Sequence, residues 1–209
     1  MIRATLTSAL LLAPLPALAH PHVFADSHAG FAFDAEGRLA GLRISWLYDA
    51  FTTLVLYDQL SLDADGDGQL DAGDLARVAE GETDWPPEYE GDTYLWVDGA
   101  PRALGRPRNG TARMVGDRVE VSFDLPLADP ARLGAASLKL YDPSYYYAYS
   151  IKGLSGELPA GCEARVIPFE PGNADRRIMA TLAALSQEEI PDDPEIGARF
   201  ADEIRLQCD

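Results

Sequence analysis

Two cysteines, three histidines and three methionines in 209 residues leave this chain poor in soft and borderline metal donors, so any that cluster carry information. Positive charge is scarce as well. Lys and Arg total 17 against 34 Asp and Glu, a formal net charge of −17. Such an excess repels phosphate backbones and anionic headgroups, which removes nucleic acid from the partner classes and favours cations. Beyond the first residues, no apolar run approaches the roughly 18–20 residues that a bilayer-spanning helix needs. The sequence also lacks a nucleophile elbow, a His-Glu-x-x-His, a phosphate-cradling glycine loop and a Cys-x-x-Cys, which excludes the corresponding hydrolase, nucleotide and redox chemistries. Neither internal repeats nor low-complexity linkers occur.

What is present reads as globular. A 47% hydrophobic and 9% aromatic content suits a core beneath an acidic surface, and a chain of this length suits one domain. Residues 1–19 stand apart. Arg3, the apolar run Ala4 to Ala13 and the small-residue pattern Ala17-Leu18-Ala19 predict a cleavable secretory signal, with the mature chain beginning at His20. The expectation is therefore an exported, periplasmic protein with no direct membrane insertion, whose residues 20–209 form a single β-rich domain. In an oxidising compartment an even pair of cysteines most often forms a disulfide, here Cys162 with Cys208; two separate buried thiols are the alternative.

Periodicity sets the architecture. Val23, Ala25, Ser27, Ala29, Phe31 and Phe33 share one parity, and Asp34 to Gly37 turns the chain into Leu39 to Tyr48, a β-hairpin. Ala50 to Leu60, with Phe51, Leu54, Val55 and Tyr57 at helical offsets, and Ala72 to Glu80 read as helices. Strand signals then follow at Tyr94 to Val97, Arg118 to Leu127, Ser137 to Tyr141, Tyr146 to Ile151 and Glu163 to Ile167, with Asp98-Gly99 as a turn. Asp175 to Leu185 reads as a helix, and the tail Glu195 to Cys208 either as helix throughout or as a segment finishing in a strand at Ile204 to Leu206. The expected class is α+β, mainly β. It takes the form of an antiparallel β-sandwich-like domain with an inserted helix-loop-helix over 49–80 and C-terminal helices.

The loop inside that insertion is the strongest motif. From Asp63 to Asp74, carboxylates stand at positions 1, 3, 5, 9 and 12 (Asp63, Asp65, Asp67, Asp71, Asp74), Gly68 at position 6 permits the sharp turn, and Leu70 fills position 8. This is the EF-hand pattern, in which Ca²⁺ takes six to eight oxygens, one of them the backbone carbonyl of position 7, Gln69. Asp74 departs from the usual Glu at position 12, and its shorter arm predicts weaker binding or a water-bridged site. A solvated acidic turn is the competing reading.

The entire histidine complement, His20, His22 and His28, falls within nine residues of the predicted mature N-terminus. Signal cleavage would give His20 a free α-amine. An amine, its own imidazole and a second imidazole form a nitrogen set suited to Ni²⁺, Co²⁺, Zn²⁺ or Cu²⁺. Pro21 has no backbone N–H, which excludes the square-planar site made from two deprotonated amides. At about 3.3 Å per residue His22 and His28 stand roughly 20 Å apart on an unbroken strand, so sharing an ion would need a bend near Asp26. Asp26 lies on the same parity as the histidines and is a candidate oxygen ligand, as is Asp142 in the phenol-rich run Tyr141-Asp142-Pro143-Ser144-Tyr145-Tyr146-Tyr147. A leading His-Pro-His that does nothing is the alternative.

Together these residues carry a resemblance. His20-Pro21-His22-Val23-Phe24 after a signal peptide, the Asp63 to Asp74 loop between helices, Val97-Asp98-Gly99 and Tyr141-Asp142-Pro143-Ser144-Tyr145-Tyr146 look like the bacterial domain-of-unknown-function family 1007. Its members are often labelled as a periplasmic component of an uncharacterised ABC-type transport system. The resemblance implies association with a nickel/cobalt-type membrane permease and a role in transition-metal handling. The expected function is thus a periplasmic metal-binding accessory, not an enzyme, with Ca²⁺ as a structural ion. A copper-dependent oxidase built on the histidines and a Ca²⁺-stabilised interaction module are its rivals.

Overall fold

A computed structural model describes residues 20–186 and 189–209. The expected signal peptide lies outside the described residues. Among the described residues the chain is mainly β, with three α-helices and two five-stranded sheets, in keeping with the α+β expectation.

β1 (Val23–Phe33) and β2 (Leu39–Tyr48) pair antiparallel, and the odd-numbered residues of β1 from Val23 to Phe31 are all buried, as their alternation requires. The turn between them is held by Asp34, whose carboxylate accepts the N–H groups of Glu36 and Arg38. Two helices follow, α1 (Ala50–Gln59) and α2 (Ala72–Thr83), each N-capped by an aspartate, Asp49 and Asp71. Next come β3 (Thr93–Val97) and β4 (Ala100–Arg102), joined through Asp98 and Gly99 at positive φ, then β5 (Arg108–Val115) and β6 (Arg118–Ala131). The remainder is β7 (Ala135–Leu140), β8 (Tyr147–Leu154), β9 (Cys162–Ile167), α3 (Asn173–Leu182), a 3₁₀ turn over Ile196–Phe200 and β10 (Glu203–Cys208). The tail therefore ends as a strand after a short 3₁₀ turn.

The first sheet runs β5-β6-β2-β1-β8 and the second β4-β3-β7-β10-β9. Residues of both sheets, among them Ala29, Ile44 and Phe123 of the first and Leu138, Ile204 and Leu206 of the second, share one buried hydrophobic cluster. A smaller cluster joins Tyr145, Leu182, Ile196 and Phe200.

Four expectations need correction. The first sheet is mixed, because β8 pairs parallel to β1: the chain has laid down most of the second sheet before it returns, and a parallel neighbour needs such a long crossover. β4 and β5 were not expected as strands. β5 is exposed over most of its length, so it lacks the alternation that marks a strand with one face in the core. The inward face of α1 differs too. Thr52, Thr53 and Leu56 are buried while Phe51 and Leu54 stand 71% and 65% exposed. The cause is polar: Asp49 caps the helix through the Thr52 N–H and hydroxyl, and the Thr53 hydroxyl accepts the Val119 N–H while donating to the Asp49 carbonyl. Those bonds fix the helix's rotation against β6 more firmly than its apolar side chains do. Finally, the C-terminal part holds one α-helix, since the tail is committed to β10.

Cys162 and Cys208 form a disulfide, and they are direct partners across β9 and β10.

Candidate functional site

The structure brings His20 and His22 together at the start of β1. The chain enters that strand through two N–H groups, His22 at 2.9 Å and Val23 at 3.2 Å, both donated to the Tyr146 carbonyl. The imidazole centroids lie 5.0 Å apart at 67°, and the His22 ring tilts over Tyr146 at 4.5 Å. His20 is 5% exposed. Nδ1 of His20 and Nε2 of His22 are buried and have no hydrogen-bond partner. Orphaned buried nitrogens cost free energy unless something else occupies them. Burial, and then the neighbouring His20, lower the His22 pKa from its ordinary value, so this imidazole stays neutral, in the form that ligates metal, to lower pH than a free histidine.

Tyr146 is placed by the segment before it. Asp142 accepts the N–H and hydroxyl of Ser144 through Oδ1 and the N–H groups of Tyr146 and Tyr147 through Oδ2, at 2.8 and 3.0 Å. The turn takes Tyr145 to φ 61°, a conformation that a bulky residue adopts only under constraint. Here the constraint is the Tyr145 ring packed 4.7 Å from Phe200. Behind the turn, the Gly197 N–H donates to the Pro143 carbonyl, and a Cβ on Gly197 would come within 1.8 Å of the Asp142 carbonyl oxygen. Only glycine permits that approach. Asp142 thus organises the platform under the histidines.

The other expected members of the nitrogen site stand elsewhere. Asp26 is paired with Arg118 at 3.0 Å and Lys152 at 3.1 Å. Burial alone would raise its pKa, yet those two partners hold it below the ordinary carboxylate value. His28 sits further along an unbroken β1, beside Gly153 at the bulge where β1 and β8 shift register. That bulge displaces the pairing without bending His28 back toward His22. Among the described residues, no Asp, Glu or third His joins the pair in a tight three-member group.

In the acidic loop, the carboxylates of Asp63, Asp65 and Asp67 do form such a group, with ligand atoms within 4.8 Å of one another. Asp63 and the flanking Gly66 and Gly68 adopt positive φ, and the Gly68 N–H donates to the Asp63 carboxylate. Gln69 donates its N–H to Asp67. Asp71 and Asp74 stand outside the group. Asp71 caps α2 through the Gly73 and Asp74 N–H groups, Asp74 returns a bond to the Asp71 N–H, and Arg77 occupies the other Asp74 oxygen. This closed capping box accounts for both side chains.

Sequence reasoning missed Tyr146 as the wall of the histidine pair. The phenol run was visible, but nothing local ties Tyr146 to β1.

What fold and site define is a mainly β, two-sheeted protein that carries a histidine pair, His20 buried and His22 half-buried, at the head of one strand and an aspartate triad in a loop between two helices. Residues 5–208 match the family described as protein of unknown function (DUF1007), and the chain belongs to that family. It is 28% identical over 199 residues to a protein of Haemophilus influenzae (strain ATCC 51907 / DSM 11121 / KW20 / Rd) described as an uncharacterized protein, with 92% of each chain covered.

Proposed function

We propose that this protein binds a divalent transition metal through His20 and His22 and serves, in the periplasm, as an accessory to a nickel/cobalt-type membrane permease. The observation that carries the metal reading is the pair of buried, unpartnered imidazole nitrogens on adjacent rings. Cleavage after Ala19 would add the His20 α-amine, and amine with imidazole suits Ni²⁺, Co²⁺, Zn²⁺ or Cu²⁺. Asp26 and Asp142 are already engaged by protein groups, so water or the permease completes the shell. The permease association rests on the family resemblance and on an acidic surface that favours cations. Calorimetric titration of the mature protein with each of the four ions is the test. His20→Ala and His22→Ala should each weaken the tightest of them by a hundredfold or more, about 2.7 kcal/mol. Equal binding by His20→Ala would overturn the reading.

A second ion is favoured by a separate observation, the mutual approach of Asp63, Asp65 and Asp67. In this reading the loop is EF-hand-like and holds Ca²⁺ as a staple between α1 and α2, with the Gln69 carbonyl as a further ligand. Asp71 and Asp74 would contribute after the capping box opens or through water.

A further inference from the structure

Between β2, the end of α2, the segment 84–92 and β8 lies a cavity of about 430 Å³ that neither proposed ion uses. Its walls are aromatic. Trp46 and Trp85 are stacked at 6.3 Å, Tyr89 stands edge-on to Trp85 at 5.2 Å, and Tyr149 lies 5.6 Å from Trp46. Gly91, at φ 74°, leaves room for the Trp85 ring, where a Cβ would come within 2.2 Å. Two carboxyls line the same space. Asp92 is 5% exposed and accepts the Tyr149 hydroxyl at 2.8 Å; Glu82 accepts the Tyr48 hydroxyl. No Lys, Arg or His is among the described residues that line it.

Buried carboxyls with no positive partner are expensive. Burial pushes the Asp92 carboxyl up to about 7, against the Tyr149 bond and with Asp142 adding to the rise, and it pushes Glu82 up as well. A bare metal ion does not fit this chemistry, because no three carboxylate or imidazole ligand atoms here approach one another closely. A larger cation does. Aromatic faces attract a desolvated ammonium through their quadrupoles, and carboxylates at the floor neutralise it.

We propose that this cavity binds a small organic ammonium ion, held against the partly exposed rings of Trp85, Tyr89 and Tyr147 and neutralised by Asp92 and Glu82. Cavity walls and histidine pair meet at Tyr146 and Asp142, but the groups proposed to hold each ligand differ.

The test follows indole fluorescence at about pH 8, where Asp92 is ionised, while choline, tetramethylammonium and the uncharged isostere 3,3-dimethylbutan-1-ol are added in turn. Choline should change the emission saturably and bind best, and the isostere should bind about tenfold more weakly or worse. Asp92→Asn keeps an acceptor for the Tyr149 hydroxyl while removing the charge, and should weaken choline about tenfold, the equivalent of about 1.4 kcal/mol. Should that variant lose its fold by circular dichroism, the choline and isostere comparison on the unaltered protein decides alone. His22→Ala should leave choline binding unchanged, which separates this site from the metal reading. An equal response to choline and the isostere, no saturable response to either ammonium ion, or a folded Asp92→Asn that binds choline as tightly as the unaltered protein would each overturn the proposal.

Discussion

Asp63, Asp65 and Asp67 are neighbours in sequence as well as in space, on a loop where Asp65 and Asp67 are exposed and their approach depends on local turns at Gly66 and Gly68. His20 and His22 are also close in sequence, yet their setting comes from far along the chain: the Tyr146 carbonyl positions the backbone, the Tyr146 ring covers His22, and Asp142 with Gly197 positions Tyr146. One corner is a self-contained string of ligands and the other a product of tertiary structure. Their responses should differ accordingly. A solvent-exposed acidic loop binds or releases an ion with little reach beyond α1 and α2. A pair set in place by distant contacts is coupled to everything that holds its platform.

The largest expected difference lies in calcium dependence. At a Ca²⁺ concentration about a hundredfold above Kd the protein should gain about 2.7 kcal/mol, or about 8 °C in Tm for a chain of this size. The double variant Asp63→Asn, Asp65→Asn should lose that gain in a calorimetric melt while keeping its transition-metal titration. If Ca²⁺ still raises its Tm fully, the loop is not the calcium site and the contrast collapses.

Asp142→Ala probes the other corner at a distance. It strips charge-assisted acceptors from Ser144, Tyr146 and Tyr147, which should cost about 2 kcal/mol in denaturant unfolding. It should also weaken transition-metal binding several-fold without touching the response to Ca²⁺. Unchanged metal affinity in a destabilised variant would show that the histidines do not depend on their platform.

The smallest effect is in pH. Because burial lowers the His22 pKa below its ordinary 6.5, the folded chain binds fewer protons than the unfolded chain just below that pH. Stability should therefore fall as pH drops below about 6.5, and it should stop falling on this account once pH is below the depressed folded value. His22→Ala should show a shallower decline over that window by thermal melts. Metal binding should persist to lower pH than free imidazole allows, since the competing proton binds more weakly. Parallel declines in both proteins would mean that His22 is not the group responsible.

How much of this was legible follows the same division between local and distant. β1 and β2 could be read nearly to the residue, because one face of each is in the core and Asp34 to Arg38 closes the turn locally. In the acidic loop the approach of Asp63, Asp65 and Asp67 was legible because its turns are local, whereas the engagement of Asp71 and Asp74 in the α2 cap was not. The rotation of α1 was not, because it is set by hydroxyls of Thr52 and Thr53 that hydropathy counts as neutral. β5 offered no alternation, and the parallel pairing of β8 with β1 has no signature in either strand alone. The disulfide was expected from cysteine number and compartment, and its cross-strand placement came only with β10. At the histidine corner the donors could be named from sequence. Their neighbour Tyr146 could not, since the turn before β8 meets the head of β1 only in the folded chain.

β10 lies between β7 and β9, inside the second sheet rather than at its edge. It is also the last of the described strands in chain order, so that sheet has a vacant interior place until every earlier strand has been made. Folding of this half is thereby timed to the arrival of Glu203 to Cys208. A truncation before Glu203 would not shorten the sheet but split it, leaving the β7 and β9 edges unpaired and open to strand exchange with a neighbouring chain.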